Sequence, residues 1–253
     1  VQVDRPRGGV ALATIHPTAI VHPHAEIASD AEIGPYCIVG NQVSIGARTR
    51  LLAHVFLEGP LRIGDDNTFY PYCSCGVAPQ DKKYRGETSE TRIGNGNTIR
   101  EFVTIHRGTE GGGLLTSIGD ANLLMAYVHV AHDVIICNHT ILANGVTFAG
   151  HVTVEDYANI GGLSAIHQFC RIGRHSLIGS RSVIKQNVLP YSLTSIERNN
   201  HAYGLNKVGL QRRGFTPAQL KELRAAYRLL QASKLNTTQA LEAIRETISK
   251  GAG

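Results

Sequence analysis

The sequence predicts an all-β solenoid, a parallel β-helix of hexapeptide repeats with a small α-helical C-terminal region. Three observations carry this prediction. From Ile118 to Ile184 every sixth residue is bulky and apolar: Ile118, Leu124, Val130, Ile136, Leu142, Phe148, Val154, Ile160, Ile166, Ile172, Ile178 and Ile184. With 42% of the chain apolar, such a run arises by chance about 3 times in 100,000 before allowing for choice of frame. The same beat runs through Ile15, Val21, Ile27, Ile33, Val39, Ile45, Leu51, Leu57, Ile63, Phe69 and Cys75, and returns at Ile93, Ile99 and Ile105. The third observation is what surrounds the beat. Glycine often follows the apolar residue (Gly34, Gly40, Gly46, Gly64, Gly94, Gly119, Gly161, Gly173, Gly179), as a corner free of a Cβ would require. Small or β-branched residues stand four places after it (Ala19, Ala31, Val43, Thr49, Val103, Val152, Ser164), suited to filling the axis.

A period of six fits neither a helix nor a flat sheet. It fits a triangular coil in which each hexad forms one side and its first residue points inward. The pattern does not set the hand; chains with this hexad are usually left-handed, and that form is expected.

In chain order, residues 1–14 form an N-terminal extension and residues 15–191 the solenoid. Two segments break the rhythm. Between Gly76 and Arg92 the chain turns polar, with Pro79 and the run Gln80, Asp81, Lys82, Lys83, Tyr84, Arg85. Between Arg107 and Ser117 it is glycine-rich (Gly108, Gly111, Gly112, Gly113) and the frame slips by one residue. Both predict loops, near 76–92 and 107–117, either functional or merely tolerated at a corner. Residues 192–253 form the helical region. Thr216, Pro217 and Gln219 supply a capping box before Leu220, Leu223, Ala226, Tyr227 and Leu230. A second helix from about Asn236 turns Leu241, Ala243, Ile244 and Ile248 to one side. Helices here would cover the open strand edges of the last coil.

Composition narrows the class. No apolar stretch is long enough to span a membrane, and Val1 to Gly9 lack a signal-peptide core, so a cytoplasmic protein is expected. The five cysteines have no disulfide or zinc spacing, and Cys37, Cys73, Cys75 and Cys170 fall at packing positions. A net charge of +5 favours acidic partners but is too small to argue for nucleic acid, and no nucleic-acid motif accompanies it.

Three hexads make one coil, so residues about eighteen apart stack. The hexads starting at Val130, Phe148 and Ile166 then form a column bearing His132, His151 and His167, with coils about 4.8 Å apart. His129 ends the preceding hexad. Histidine suits proton transfer near neutral pH, so the column is a candidate catalytic site, against the alternative of solvated surface side chains.

The stretch His129-Val130-Ala131-His132-Asp133, the run Ile141 to Asn144, Ala149-Gly150-His151-Val152 and Ala165-Ile166-His167-Gln168-Phe169 resemble the UDP-N-acetylglucosamine O-acyltransferases that begin lipid A biosynthesis. Thr104 to Thr109, Gln80 to Tyr84 and Gly209 to Phe215 extend the resemblance over nearly the whole chain. It implies transfer of a 3-hydroxyacyl group from acyl carrier protein to the sugar 3-position of UDP-N-acetylglucosamine, without a further cofactor or metal, in a homotrimer with sites between subunits. It also implies His132 as general base and Gly150 as oxyanion donor. Asp133 is implied as a partner of His132, although neighbours in a regular strand face opposite ways.

Nucleotide-sugar binding is implied for Asp81, Lys83, His129, His151, His167, Gln168, Asn206, Arg212 and Arg213. Ser180, one coil beyond Gly162 and two beyond Asn144, matches the family's acyl-chain ruler; as a small residue it implies a medium to long acyl chain. Two places depart from the family's wording, Ser195 to Asn200 and Val208.

Other readings stay open. Transfer to a 3-amino sugar would give an amide. The related N-acyltransferase carries a uridine-binding domain for which residues 1–14 leave no room. A γ-class carbonic anhydrase would use such histidines for zinc, and a purely structural solenoid would need no stacked histidines.

Overall fold

The computed structural model describes residues 13–194, 202–231 and 233–247. Strands of two to four residues stack into three sheets of eleven, nine and eight strands, and the chain visits the sheets in turn. Pairing is parallel at the expected step: Leu124 lies on Leu142, then Ile160 and Ile178 in the first sheet; Val130 on Phe148, Ile166 and Ile184 in the second; Ile118 on Ile136, Val154 and Ile172 in the third. These side chains fill the axis and are at most 2% exposed. Burial of each contributes roughly 1.5–3 kcal/mol, which is what the hexad rhythm encodes.

With the apolar residue counted as position 1 of its hexad, the corner is turned at position 4 in a left-handed backbone conformation. Most of these corner residues are not glycine: Tyr36, Asp66, Asp133 and His151 have φ of 57°, 58°, 58° and 62°. The stack compensates, because the corner amide donates to a carbonyl one coil below, as from Tyr157 to Asn138 and from His151 to His132. The glycines at position 2 therefore serve another purpose than the expected one. A Cβ on Gly64, Gly94 or Gly119 would lie 2.3, 2.3 or 2.4 Å from the Oδ1 of Asn95, Asp120 or Asn138 in the next coil. They are absent side chains that make room for a neighbour.

The prism has three edges. At the first-to-second edge Tyr36, His54, Tyr72, Phe102 and Tyr127 stack with ring centroids 5.0 Å apart; this is the ring edge. The third-to-first edge carries stacked Asn and Asp side chains and is the amide edge. The second-to-third edge, the loop edge, carries both insertions. They span 78–89 and 107–114, shorter than the sequence suggests, because the four-residue strands Ser74–Val77, Glu90–Ile93 and Leu115–Ile118 continue the sheets on either side. Cys75 and Ile93 are three hexads apart in sequence, yet Ile93 pairs directly with Ile63, so the intervening residues add no coil.

Strand Ser192–Thr194 runs parallel to Leu177–Ile178 and pairs antiparallel with Ala202–Leu205. A strand thus covers the end of the first sheet, where the sequence suggested helices only. Three helices follow: α1 (Lys207–Arg212), α2 (Pro217–Gln231) and α3 (Thr237–Thr247). The capping box forms at Thr216 and Gln219, and a second one, unforeseen, at Asn236 and Gln239. The extension up to residue 12, Ser195 to Asn200 and Ile248 lie outside the described residues.

Candidate active site

A cleft of about 520 Å³ opens on the second sheet beside the loop edge, lined among others by Gln80, His106, His129, His132, Gly150 and His167. His129 opens the second-sheet strand His129–Val130, and His132 stands at hexad position 3, where the chain leaves that sheet. Asp133, at the left-handed corner, does not alternate away from His132 as a strand neighbour would. Its Oδ2 lies 2.8 Å from His132 Nδ1. The carboxylate is buried, and it accepts the Thr109 amide on Oδ1 at 2.9 Å and the Thr109 hydroxyl on Oδ2 at 2.5 Å. With Nδ1–H donating to Asp133, the Nε2 of His132 carries a lone pair.

Gly150 stands at the same hexad position one coil on. A Cβ there would lie 2.5 Å from His132 Cε1 and 2.8 Å from Nε2, so only glycine leaves the imidazole its place. No acceptor among the described residues takes up the Gly150 amide proton. His151 stacks on Phe169 at 4.6 Å, edge-on to His132 at 5.0 Å, with its Nδ1 3.8 Å from Asp133. Its ring therefore stands behind His132.

Two further imidazoles are held neutral by burial. The His129 ring shares a 2.7 Å hydrogen bond between Nδ1 and Thr104 Oγ1, and desolvation lowers its pKa. His106, 4.9 Å from His129 and 4% exposed, is pushed down to about 4 by burial and then by His129 and His132. The sequence offered His106 only as part of a motif; Thr104, Thr109 and Gly112 were likewise unassigned. Their signal was the run from Thr104 into the glycine-rich loop.

The remaining predicted residues spread out. Gln168 also lines the cleft, and it is exposed with His167. Asp81 and Lys83 sit on the 78–89 loop next to Gln80, with the Lys83 amide on Asp81 Oδ1 at 2.9 Å. Asn206, Arg212 and Arg213 lie one edge away, beside the amide edge. Asn206 caps α1, accepting the Gly209 amide at 3.1 Å and donating to the His175 carbonyl at 3.0 Å, so both ends of its side chain serve the fold. Arg213 lies over the Tyr157 ring at 4.4 Å, and Arg212 is exposed. Ser180 is exposed on the ring edge, in line with Gly162 and Asn144.

One chain therefore gathers His129, His132, Asp133, Gly150, His151, His167 and Gln168, and not the C-terminal arginines. A larger cleft of about 770 Å³ lies on the third sheet. Its Arg62 and Arg92 both pair with Glu90, and none of the stacked histidines His132, His151 and His167 lines it.

Comparison with known proteins bears on this arrangement. A sequence profile described as bacterial transferase hexapeptide (six repeats) matches residues 115–150, and one described as UDP N-acetylglucosamine O-acyltransferase, domain 2, matches residues 187–252. An acyl-[acyl-carrier-protein]--UDP-N-acetylglucosamine O-acyltransferase from Thermodesulfovibrio yellowstonii is 50% identical over 92% of this chain and 90% of its own length. The solved LpxA of Acinetobacter baumannii superposes with a TM-score of 0.90 at 46% identity, covering 92% of this chain and 90% of that one. The UDP-N-acetylglucosamine acyltransferase of Francisella novicida gives 0.89 at 40%, covering 92% and 85%. The fold is the left-handed β-helix with a small helical C-terminal region.

Proposed function

The chain belongs to the UDP-N-acetylglucosamine O-acyltransferases, and from that premise we propose that His132 is the general base of its acyl transfer. The reaction carries an acyl group from acyl carrier protein to UDP-N-acetylglucosamine, at the start of lipid A biosynthesis. His132 Nε2 takes the proton of the sugar 3-hydroxyl as its oxygen attacks the thioester carbonyl of a 3-hydroxyacyl donor. The new C–O bond forms, the C–S bond breaks, and the imidazolium returns the proton to the departing thiolate. Positioned proton transfer of this kind is worth about 10² to 10⁴ in rate. The single observation that carries this reading is the His132–Asp133 contact, which leaves Nε2 free and aimed at the cleft.

The Gly150 amide is the oxyanion donor, supported by its lack of another acceptor. His129, His167, Gln168, Asp81 and Lys83 bind the nucleotide sugar around the cleft, and His151 backs the base. Arg212 and Arg213 neutralise the diphosphate from a neighbouring subunit, with Asn206 holding α1 in place. A homotrimer suits this division. It is supported by the apolar outer face of the second sheet, where Ile20, Ile38 and Phe56 stand 66%, 38% and 37% exposed beside the ring edge. Ser180 bounds the acyl chain. The thioester brings the acyl group already activated, so the transfer needs no additional cofactor. Among the described residues no helix is long and apolar enough to cross a membrane; five unpaired cysteines support a reducing, cytoplasmic setting.

Incubation with UDP-N-acetylglucosamine and a panel of 3-hydroxyacyl carrier proteins, followed by product masses, reports the reaction, the acceptor atom and the preferred length. A folded H132A variant should lose about 10²- to 10⁴-fold in turnover. Retained turnover would remove His132 from its role. His132, Asp133 and His151 place ligand atoms within 4.8 Å of one another. Turnover that vanished with a chelator and returned with zinc would therefore favour metal chemistry at the same residues.

A further inference from the structure

We propose that the 107–114 loop is a clamp on Asp133, and that Thr109 and Gly112 are positioning residues acting on His132 through that carboxylate. The proposal rests on the reading of His132 as the base. Three observations carry it. Thr109 is buried (5% exposed) and delivers both its amide and its hydroxyl to Asp133, one to each carboxylate oxygen. Gly112 is pressed so closely on the same group that a Cβ would lie 1.9 Å from Asp133 Cγ. The loop is seated by its own backbone: a Cβ on Gly108 would lie 2.1 Å from the Leu115 nitrogen, and the Gly112 and Leu114 amides both donate to the Thr109 carbonyl.

Asp133 needs this help because of where it stands. A residue at a left-handed corner projects its side chain toward the rim of the prism, where rotamers that swing the carboxylate away from His132 compete with the one observed. Its own amide donates to Thr116 Oγ1 at 2.7 Å, which fixes the backbone and not the carboxylate. The carboxylate is fixed by the two Thr109 bonds on one side and the Gly112 backbone on the other, leaving its 2.8 Å contact with His132 Nδ1 as the one that faces the cleft. The glycine-rich segment is thus part of the catalytic apparatus without touching substrate.

The test is a mutant cycle. Gly112→Ala should lower kcat about tenfold or more while the KM values for both substrates stay within about twofold. Thr109→Val should lower kcat by about three- to tenfold, and Thr109→Ser should recover most of the loss. In an Asp133→Ala background, adding Gly112→Ala should cost less than about twofold, because the group it acts through is gone. In substrate-free protein, the ¹⁵N resonances of the His132 imidazole should report one Nδ1–H tautomer, and a mixture in the Gly112→Ala variant. Equal losses from Gly112→Ala in both backgrounds, an effect on KM alone, or an unchanged tautomer would overturn the clamp. The Thr109 pair keeps the test alive if Gly112→Ala does not fold. Should H132A keep its turnover, the base reading fails while the tautomer measurement still judges the clamp.

Discussion

The amide edge and the loop edge of the prism share one backbone and differ at hexad position 3. Along the amide edge that position holds Asp65, Asn95, Asp120, Asn138 and Asp156. Each Oδ1 accepts an amide one coil below, those of Ala47, Asp65, Asn95, Asp120 and Asn138, at 2.6–2.9 Å. An inner row repeats the device at position 5, through Thr49, Asn67, Asn97, Asn122 and Thr140. The position-3 amides from Ala47 to Asn138 are thus consumed by the next coil. Along the loop edge position 3 holds His132, Gly150 and Gln168. None of these closes the bond that Asn or Asp would make, so the Gly150 amide and the His132 Nε2 are left facing a cleft. A site is thus opened in a repeat fold by withholding at one edge a contact that is satisfied at the same position of another, with no change of backbone path.

The largest test of that contrast is Gly150→Ala. At the amide edge position 3 tolerates a side chain because the glycine below it makes room; at the loop edge the glycine itself occupies position 3, against the His132 ring. The added methyl must displace the imidazole, since both partners are held by the coil. A displacement approaching 1 Å costs about 10²-fold in turnover. Steady-state kinetics should show this in kcat, with an unfolding midpoint close to that of the parent. Unaltered kcat would mean the ring has slack that the close packing denies.

The reverse outcome belongs to the amide edge. Asn122 is 2% exposed; its Oδ1 accepts both the amide and the hydroxyl of Thr140 at 2.8 Å, and its Nδ2 donates to the Cys137 carbonyl at 2.9 Å. Asn122→Ala strands these groups in a buried site. At about 1–3 kcal/mol for an unsatisfied buried group, a stability loss of about 2 kcal/mol is expected. Denaturant titration should show it at an unchanged m-value, with kcat per folded molecule intact. A kcat loss comparable to that of Gly150→Ala would mean the two edges are not separable in function.

How much of this the sequence carried follows from the kind of signal each part leaves. The coil is written in the spacing of Ile118 through Ile184, because an axial position tolerates only apolar side chains and must recur at each side of the triangle. The loops are written as breaks in that spacing. The column of histidines follows from the eighteen-residue turn. The Asp133 contact did not follow, because strand alternation would send it away from His132; the left-handed corner that turns it back is adopted by Asp, His, Tyr and Phe alike, and leaves no residue signature. The glycines at position 2 were visible, but their cause lies in a side chain about one coil away, as Gly94 answers to Asp120. The C-terminal arginines show a limit of another kind: Arg212 and Arg213 fit the chemistry of a diphosphate, but one chain does not bring them to the cleft.

The smallest expected effect concerns the price of keeping an open site among buried imidazoles. His106 is 4% exposed, and its pKa falls from an ordinary value near 6.5 to about 4 through burial and the adjacent His129 and His132. Above pH 6.5 the ring is neutral in both folded and unfolded chains and has no pH-dependent effect. As the pH falls from 6.5 toward 4, the unfolded chain takes up the proton while the folded one does not, so the folded state loses ground throughout that window. At pH 5.5 the loss amounts to about 1.4 kcal/mol. His106→Gln removes the titrating group, so the difference in unfolding free energy between variant and parent should shift by that amount in the variant's favour between pH 7.5 and 5.5. His129 and His175, also depressed by burial, remain in both proteins and cancel from the difference. A difference that stayed flat with pH would mean His106 takes up its proton in the folded cleft, and the site would then carry a charge that its burial argues against.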